Sequence, residues 1–421
     1  MPTAPPARAD PALARAIRRN TFLLSASLAV NSATLQLAAA VASLTFVEVT
    51  GVAALLGLGP AIFLASSGLT ALPAGRAMDR FGRVPVLATG YAVGALGGGV
   101  TGIGAHAVAT PAVIAGFVLM GAAGGVALLA RTAAGDMYPP ERRGRGIGLV
   151  LVGAVFGAIL GPAVFGPLFA GRELEPEALS LPWFVAGGFM LVGAVLVLLV
   201  RPDPKTIGQA LAAGRAEPVA PPAAPLREIL ARPGVVPALV AALASFSVMA
   251  ALMNLVSYVV VHEHGHHQAD VFPIIGAHVF GMYALVLVVG TLIDRVGRRQ
   301  ALVAGLLVMA LAAASLATTE SVGVVALLLF ALGIGWNFSF VAATAALADR
   351  ATVAERGRLL GLNDLGSALL AAVLVLLGGL VVEALSPVAL ALAATALVFL
   401  PAVWIARPAA RVADKPQTTS A

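Results

Sequence analysis

Gly290-Thr-Leu-Ile-Asp294-Arg295-Val-Gly297-Arg298-Arg299 separates two long apolar runs, and it has a near copy earlier in the chain, Gly75-Arg-Ala-Met-Asp79-Arg80-Phe-Gly82-Arg83. From Gly75 to Gly290 the offset is 215 residues. A second pair of loops repeats at almost the same spacing: Glu141-Arg142-Arg143-Gly144-Arg145 returns 214 residues later as Glu355-Arg356-Gly357-Arg358. Two independent loops recurring at nearly one offset indicate an internal duplication, with two halves built on one plan. In each copy the glycines permit a sharp reversal. The aspartate can cap a neighbouring helix or pair with the adjacent arginines.

The surroundings of these loops fix the class of protein. Hydrophobic residues make up 60% of the chain and charged residues 11%, with a mean hydropathy of +0.97. Charge-free stretches long enough to span a bilayer as helices recur throughout. The net charge of +6 could be mistaken for a nucleic-acid signal. The basic residues sit instead in short loops between apolar spans, as membrane topology requires, and no nucleic-acid partner is expected. No cysteine is present, so neither disulfides nor thiolate chemistry enter. Arg8, Arg15, Arg18 and Arg19 precede an apolar run too long for a cleavable signal core, which reads as an uncleaved first helix. No nucleophile–base set or phosphate loop appears, so neither an enzyme nor a resident cofactor is expected.

Twelve spans fit the apolar runs: 21–46, 51–74, 84–105, 110–131, 146–170, 181–200, 234–261, 270–292, 300–318, 321–347, 359–382 and 386–406. With the N-terminus inside, every one of the 26 Lys and Arg residues except Arg172 lies in a cytoplasmic segment. The expectation is an all-α, multi-pass protein of the bacterial inner (plasma) membrane with both termini cytoplasmic. The chain divides into a cytoplasmic tail (1–20), a six-helix bundle (21–200), a flexible Pro- and Ala-rich linker (201–233), a second six-helix bundle (234–406) and a C-terminal tail (407–421).

The repeated loop resembles motif A of the major facilitator superfamily, G-x-L-a-D-r-x-G-r-k. The copy at Gly290 matches each strong position, whereas the copy at Gly75 has Ala77 for leucine and Val84 for the second basic residue. The resemblance covers about 20–406. It implies two pseudo-symmetric six-helix bundles working by alternating access, with Gly75, Asp79, Arg80, Gly82, Arg83, Gly290, Asp294, Arg295, Gly297 and Arg298 helping to hold one conformation. Gly153, Gly157, Gly161-Pro162 and Gly166 resemble the family's antiporter motif, G-x-x-x-G-P-x-x-G-G. Here three residues separate Pro162 from Gly166, and Pro167 replaces the last glycine. Small residues four apart also serve plain helix packing. The arginine that many drug–proton antiporters carry inside span four is absent, since Phe117 to Ala130 holds no charge.

The candidate site lies in Met249–Met282, two apolar runs around a histidine-rich break. Met249 and Met253 share one helix face, as do His278 and Met282. If the break is a tight turn outside the bilayer, the two helices are antiparallel neighbours and the four side chains meet at matched depth, a soft set suited to Cu(I). These pairs also look like the motifs of the CcoA-like copper importers, a branch of the same superfamily, which implies that Met249, Met253, His278 and Met282 bind copper as the transported ion. Methionine is equally a common helix filler, and the His-x-x-x-Met run occurs in flavin importers too. Ordinary packing, or a pocket for a drug or riboflavin-like solute moved by proton-linked symport or antiport, therefore stays open. His262, His264, His266 and His267, with Glu263 and Asp270, form a candidate outer capture loop for Cu(II) or Zn(II). Asn31, Gln36, Asn254, Tyr258, Tyr283 and Asn337 are polar cavity candidates, and Trp336 could stack an aromatic ring. Glu355, Arg356, Arg358 and Asp364 read as an inner gate. The expected partners are the lipid bilayer and a small solute or metal ion, with the chain acting as a monomer.

Overall fold

A computed structural model describes residues 11–139, 142–169, 176–212, 224–285 and 288–407. Glu141, Arg172, the middle of the linker, half of the expected N-terminal tail and nearly all of the C-terminal one lie outside these residues. Among the described residues the protein is all helix and turn. Eleven helices are long and apolar enough to cross a membrane.

The N-terminal half comprises α1 (Pro11–Thr50), α2 (Leu58–Phe81), α3 (Arg83–His106), α4 (Thr110–Ala127), α5 (Ala130–Asp136), α6 (Arg143–Phe169) and α7 (Pro176–Leu198). Two short helices follow, α8 (Pro204–Ala212) and α9 (Leu226–Ala231). The C-terminal half comprises α10 (Val235–Tyr258), α11 (Gln268–Tyr283), α12 (Val289–Val296), α13 (Arg298–Leu316), α14 (Val322–Asp349), α15 (Val353–Ala384) and α16 (Pro387–Ala406).

Most expected spans appear within a few residues of their places, but three differ for physical reasons. The first helix is already formed at Pro11, well before the expected start at 21, because the Ala-Leu-Ala-Arg stretch that follows favours helix in water as well as in lipid. The eighth span is divided into α11 and α12, each too short to count as a crossing helix, which is why eleven and not twelve are found among the described residues. The eleventh begins at Val353, because Thr352 and Glu355 form a reciprocal capping box that hydropathy does not register. The linker also departs from expectation, since both of its described ends are anchored. Asp203 accepts from the backbone N–H groups of Arg83 (3.2 Å) and Val84 (2.8 Å), capping α3. Ile207 and Ile229 are buried.

Within the halves, α1 packs on α6 and α7, α3 on α4 and α7, α13 on α14 and α16, and α11 on α14. The halves meet through α2 with α15, α6 with α11, and α1 with α10. Backbones come close where side chains are missing. A Cβ on Gly153 would lie 2.0 Å from the Ser25 carbonyl oxygen, and one on Gly157 would lie 2.6 Å from that of Ala29. A Cβ on Gly166 would meet nothing within 4 Å. The glycines that resemble an antiporter motif are therefore largely the contact surface of α6 on α1.

Contacts between the halves concentrate toward the face opposite the termini. Ser43 donates to the Asn254 carbonyl (3.1 Å) and Gln268 to that of Ala40 (3.1 Å). Phe272 stacks against Phe165 and Phe169, at 6.3 and 5.5 Å between ring centroids. Gly57 approaches the backbone of Val375 and Leu376. This conformation is closed on that face.

A methyl at Gly153 should cost about 1–3 kcal/mol as overpacking. Gly153→Ala is expected to lower the apparent unfolding temperature in detergent, while Gly166→Ala leaves it unchanged. Equal behaviour of the two would show that α6 does not depend on this contact.

Candidate functional site

The two repeated loops fold alike. Gly82 and Gly297 adopt φ of +101° and +100°, a region closed to most side chains, and each joins two helices. In the first copy the Arg83 guanidinium bridges Asp79 (2.7 Å) and Asp136 (2.7 Å). In the second, Arg298 bridges Asp294 and Asp349, the latter at 3.1 Å. Asp136 and Asp349 were missed in the sequence, although each stands shortly before a repeated Glu-Arg loop. The capping role expected of Asp79 belongs to Asp203 instead. Arg80 leans over the Phe81 ring at 5.0 Å, and Arg295 is exposed. Each triad closes within its own half, so in this conformation the loops brace a bundle and do not bridge the two.

The expected inner gate divides in the same way. Glu355, only 2% exposed, accepts from both terminal nitrogens of Arg232 (2.6 and 2.8 Å) and from the N–H groups of Thr352 and Ala224. That pair pushes the Arg232 guanidinium further above its ordinary value. Arg356 donates to the carbonyls of Ala348 (3.1 Å) and Ala351 (3.3 Å) at the end of α14. Both residues act within the C-terminal half and its linker. Asp364 alone of the set reaches across, to Arg131 of α5 at 3.1 Å. Because α15 starts early, Asp364 lies about three turns into its helix. The two side chains are 36% and 43% exposed, so water reaches this junction from the terminal face.

The methionine and histidine set is less convergent than a shared turn suggested. The main partners of α11 are α14 and α6, those of α10 are α15 and α14, and α14 is their common neighbour. The cause is again missing side chains: a Cβ on Gly333 would lie 2.4 Å from the His278 carbonyl, and one on Gly281 would lie 2.3 Å from that of Phe330. Met249, His278 and Met282 are buried and Met253 is half-buried. The His278 Nδ1 donates to the Leu329 carbonyl of α14 at 2.7 Å. Since a carbonyl only accepts, this bond leaves the lone pair on Nε2, which is buried without a partner.

The outer histidines serve separate ends. His262 stacks on Tyr258 (4.4 Å), His266 contacts the Glu320 carbonyl (2.7 Å), and His267 forms a capping box with Asp270 at the start of α11. The His264 Nδ1 is buried and unpaired. Among the described residues no three His, Asp or Glu side chains gather as a metal site.

Of the polar candidates, Gln36 donates to Gly157 (2.5 Å), Asn254 to its own helix at Ala250 (2.8 Å), and Asn337 to the Met282 carbonyl. Asn31 keeps an unpaired, buried Nδ2. An aromatic row crosses the C-terminal half. Tyr283 stands edge-on to Trp336 (6.2 Å), Trp336 stacks on Phe340 (5.1 Å), and Phe340 meets Phe246 of α10 (5.8 Å). The Trp336 indole N–H, the Asn363 Oδ1 and the Ser367 hydroxyl are buried there or on α15 without partners. Tyr283 lies within electrostatic reach of Arg131.

The chain matches the family model described as Major Facilitator Superfamily over residues 22–285 and 266–420. It is 30% identical to the uncharacterized MFS-type transporter YdeG of Bacillus subtilis over 89% of this chain and 88% of that one. It is also 30% identical to the riboflavin transporter RfnT of Brucella anthropi, over 83% and 86%. Its fold is shared with the xylose transporter XylE of E. coli in a partially occluded inward-open conformation, at a TM-score of 0.69 and 16% identity, covering 93% of this chain and 97% of that one.

The Arg131–Asp364 pair is exposed enough to contribute about 1 kcal/mol or less, still a factor of roughly five in a two-state equilibrium. With no native cysteine, spin labels at Thr132→Cys and Arg358→Cys report the spacing of the terminal face without background. Asp364→Asn and Arg131→Gln should each lengthen it; identical distance distributions would make the pair incidental.

Proposed function

The chain belongs to the major facilitator superfamily, and we propose that within it this protein is a secondary transporter of a planar, heteroaromatic organic solute of riboflavin's class. It works by alternating access in the bacterial inner membrane, with the arginine-rich terminal face toward the cytoplasm. The observation that carries this reading is the aromatic row of Tyr283, Trp336 and Phe340, with an unpaired indole N–H beside it. Aromatic faces stack a flat ring system, and buried unpaired donors and acceptors seek a hydrogen-bonding rim. The similarity to a relative named as a riboflavin transporter supports the same class. Asp364 and Arg131 form the gate on the terminal side, an ion pair between the halves that must part if they separate there.

A second reading, copper import, has one observation in its favour. The His278 Nε2 lone pair is held free by the Nδ1 bond to Leu329, the state a metal-ligating imidazole needs. Met249, Met253 and Met282 would then complete a soft set around the transported ion as the halves move.

Purified protein in liposomes under a pH gradient separates the two. Riboflavin uptake should saturate, and Trp336→Leu should raise its half-saturation concentration by roughly two- to tenfold, the worth of one aromatic contact. Copper uptake that exceeds riboflavin uptake and disappears in His278→Ala would overturn the organic-solute reading in favour of the metal.

A further inference from the structure

Near the termini, the ends of α10, α13, α14 and α16 surround a cavity of about 560 Å³. Its inner wall is apolar, with Ala238, Leu302 and Ala346 buried along it. Its rim carries Arg298, Arg299, Arg350 and Arg407, together with Trp404.

The charges on this rim are not balanced. Arg298 is neutralised by Asp294 and Asp349. Among the described residues, Arg299, Arg350 and Arg407 take part in no ion pair. Arg299 donates to the carbonyls of Ile405 (2.9 Å) and Arg407 (2.6 Å), and Arg350 to those of Pro233 (2.9 Å) and Ala346 (2.8 Å). Each thus spends two of its five guanidinium donors on fixing its position and keeps three. Guanidinium groups positioned in this way suit the oxygens of a phosphate.

The mouth of the cavity opens on apolar surface: Trp404 at its rim and Leu400 one turn earlier on α16 are 47% and 65% exposed. A tryptophan at the end of a span sits at headgroup level, and basic clefts there attract anionic lipids. Where the C-terminal loop has Arg299 the N-terminal copy has Val84, so the repeat does not carry this charge into the other half.

We propose that this cavity binds the phosphodiester headgroup of an anionic phospholipid, with Arg299, Arg350 and Arg407 on the phosphate and Leu302 and Trp404 against the chains. A free phosphate would satisfy the arginines but leave the apolar wall uncovered. The bound lipid would tie α13, α14 and α16 together beside the Asp294–Arg298–Asp349 triad.

Native mass spectrometry of the full chain in neutral detergent tests this, with dihexanoyl phosphatidylglycerol, dihexanoyl phosphatidylcholine and inorganic phosphate as probes. One phosphatidylglycerol should be retained at concentrations where phosphatidylcholine is not, and a tenfold excess of phosphate should not displace it. Arg407→Gln removes a side chain with no hydrogen bond to the described protein, and should weaken binding about fivefold. The double variant with Arg299→Gln should weaken it about twenty-five-fold. If that variant aggregates, Arg407→Gln and the lipid competition in the unaltered chain decide the matter. Equal retention of the two lipids, or phosphatidylglycerol binding unchanged by Arg407→Gln, overturns the proposal. Displacement by equimolar phosphate reassigns the cavity to a soluble anion and overturns the lipid claim.

Discussion

Inside a bilayer no water is available to a backbone N–H or carbonyl, and the rest of this structure follows from that constraint. The chain answers it with helices, and polar side chains answer it in turn by bonding to nearby backbone. Asn254 returns to Ala250, Thr34 to Val30 and Ser339 to Gly335. With no hydrophobic force to drive helices together in lipid, close backbone approach decides which neighbours form. Gly153 and Gly157 place α6 on α1, and Gly281 and Gly333 place α11 on α14. The second of these choices positions the candidate site, because it turns His278 to α14, the helix that both α10 and α11 pack against.

The sequence was most legible where physics leaves a periodic or repeated mark. Apolar runs marked the spans, and two loops at one offset marked the duplication that the matching triads of Arg83 and Arg298 display. It was least legible where the deciding event was a contact between distant segments. Asp136 and Asp349 sit on helix ends with no pattern of their own. Asp203 caps a helix that starts 120 residues earlier in the chain. The division of α11 from α12 lies within an apolar run that hydropathy reads as continuous, and Thr352 and Glu355 extend α15 by means of a cap that hydropathy cannot see. Helical spacing and a family resemblance group the four soft ligands. Spacing fixes which residues share a face but not which helix that face meets.

The halves repeat one scaffold but do not share one chemistry. The stacked aromatics Tyr283, Trp336 and Phe340, the buried imidazole of His278 and the unpaired groups on Asn363 and Ser367 all belong to the C-terminal half. The interior of the N-terminal half has its own aromatic group, Phe46, Phe117 and Trp183, but there the indole N–H is satisfied by Thr45, and Gln36 is engaged with α6.

Which ion pairs lie within a half, and which lie between halves, decides what such a movement must break. The Asp79–Arg83–Asp136 and Asp294–Arg298–Asp349 triads, and the Arg232–Glu355 pair, stay intact under a rigid rotation of one bundle against the other, since each is closed within one bundle and its linker. Arg131–Asp364 cannot stay intact. It spans the two bodies on the terminal side, while the apolar stack of Phe165, Phe169 and Phe272 spans them on the other. One side is therefore joined by a contact that a competing charged group can undo, and the other by a contact indifferent to charge. A bundle pair joined in this way parts first at its terminal face when a charged group competes for Arg131 or Asp364.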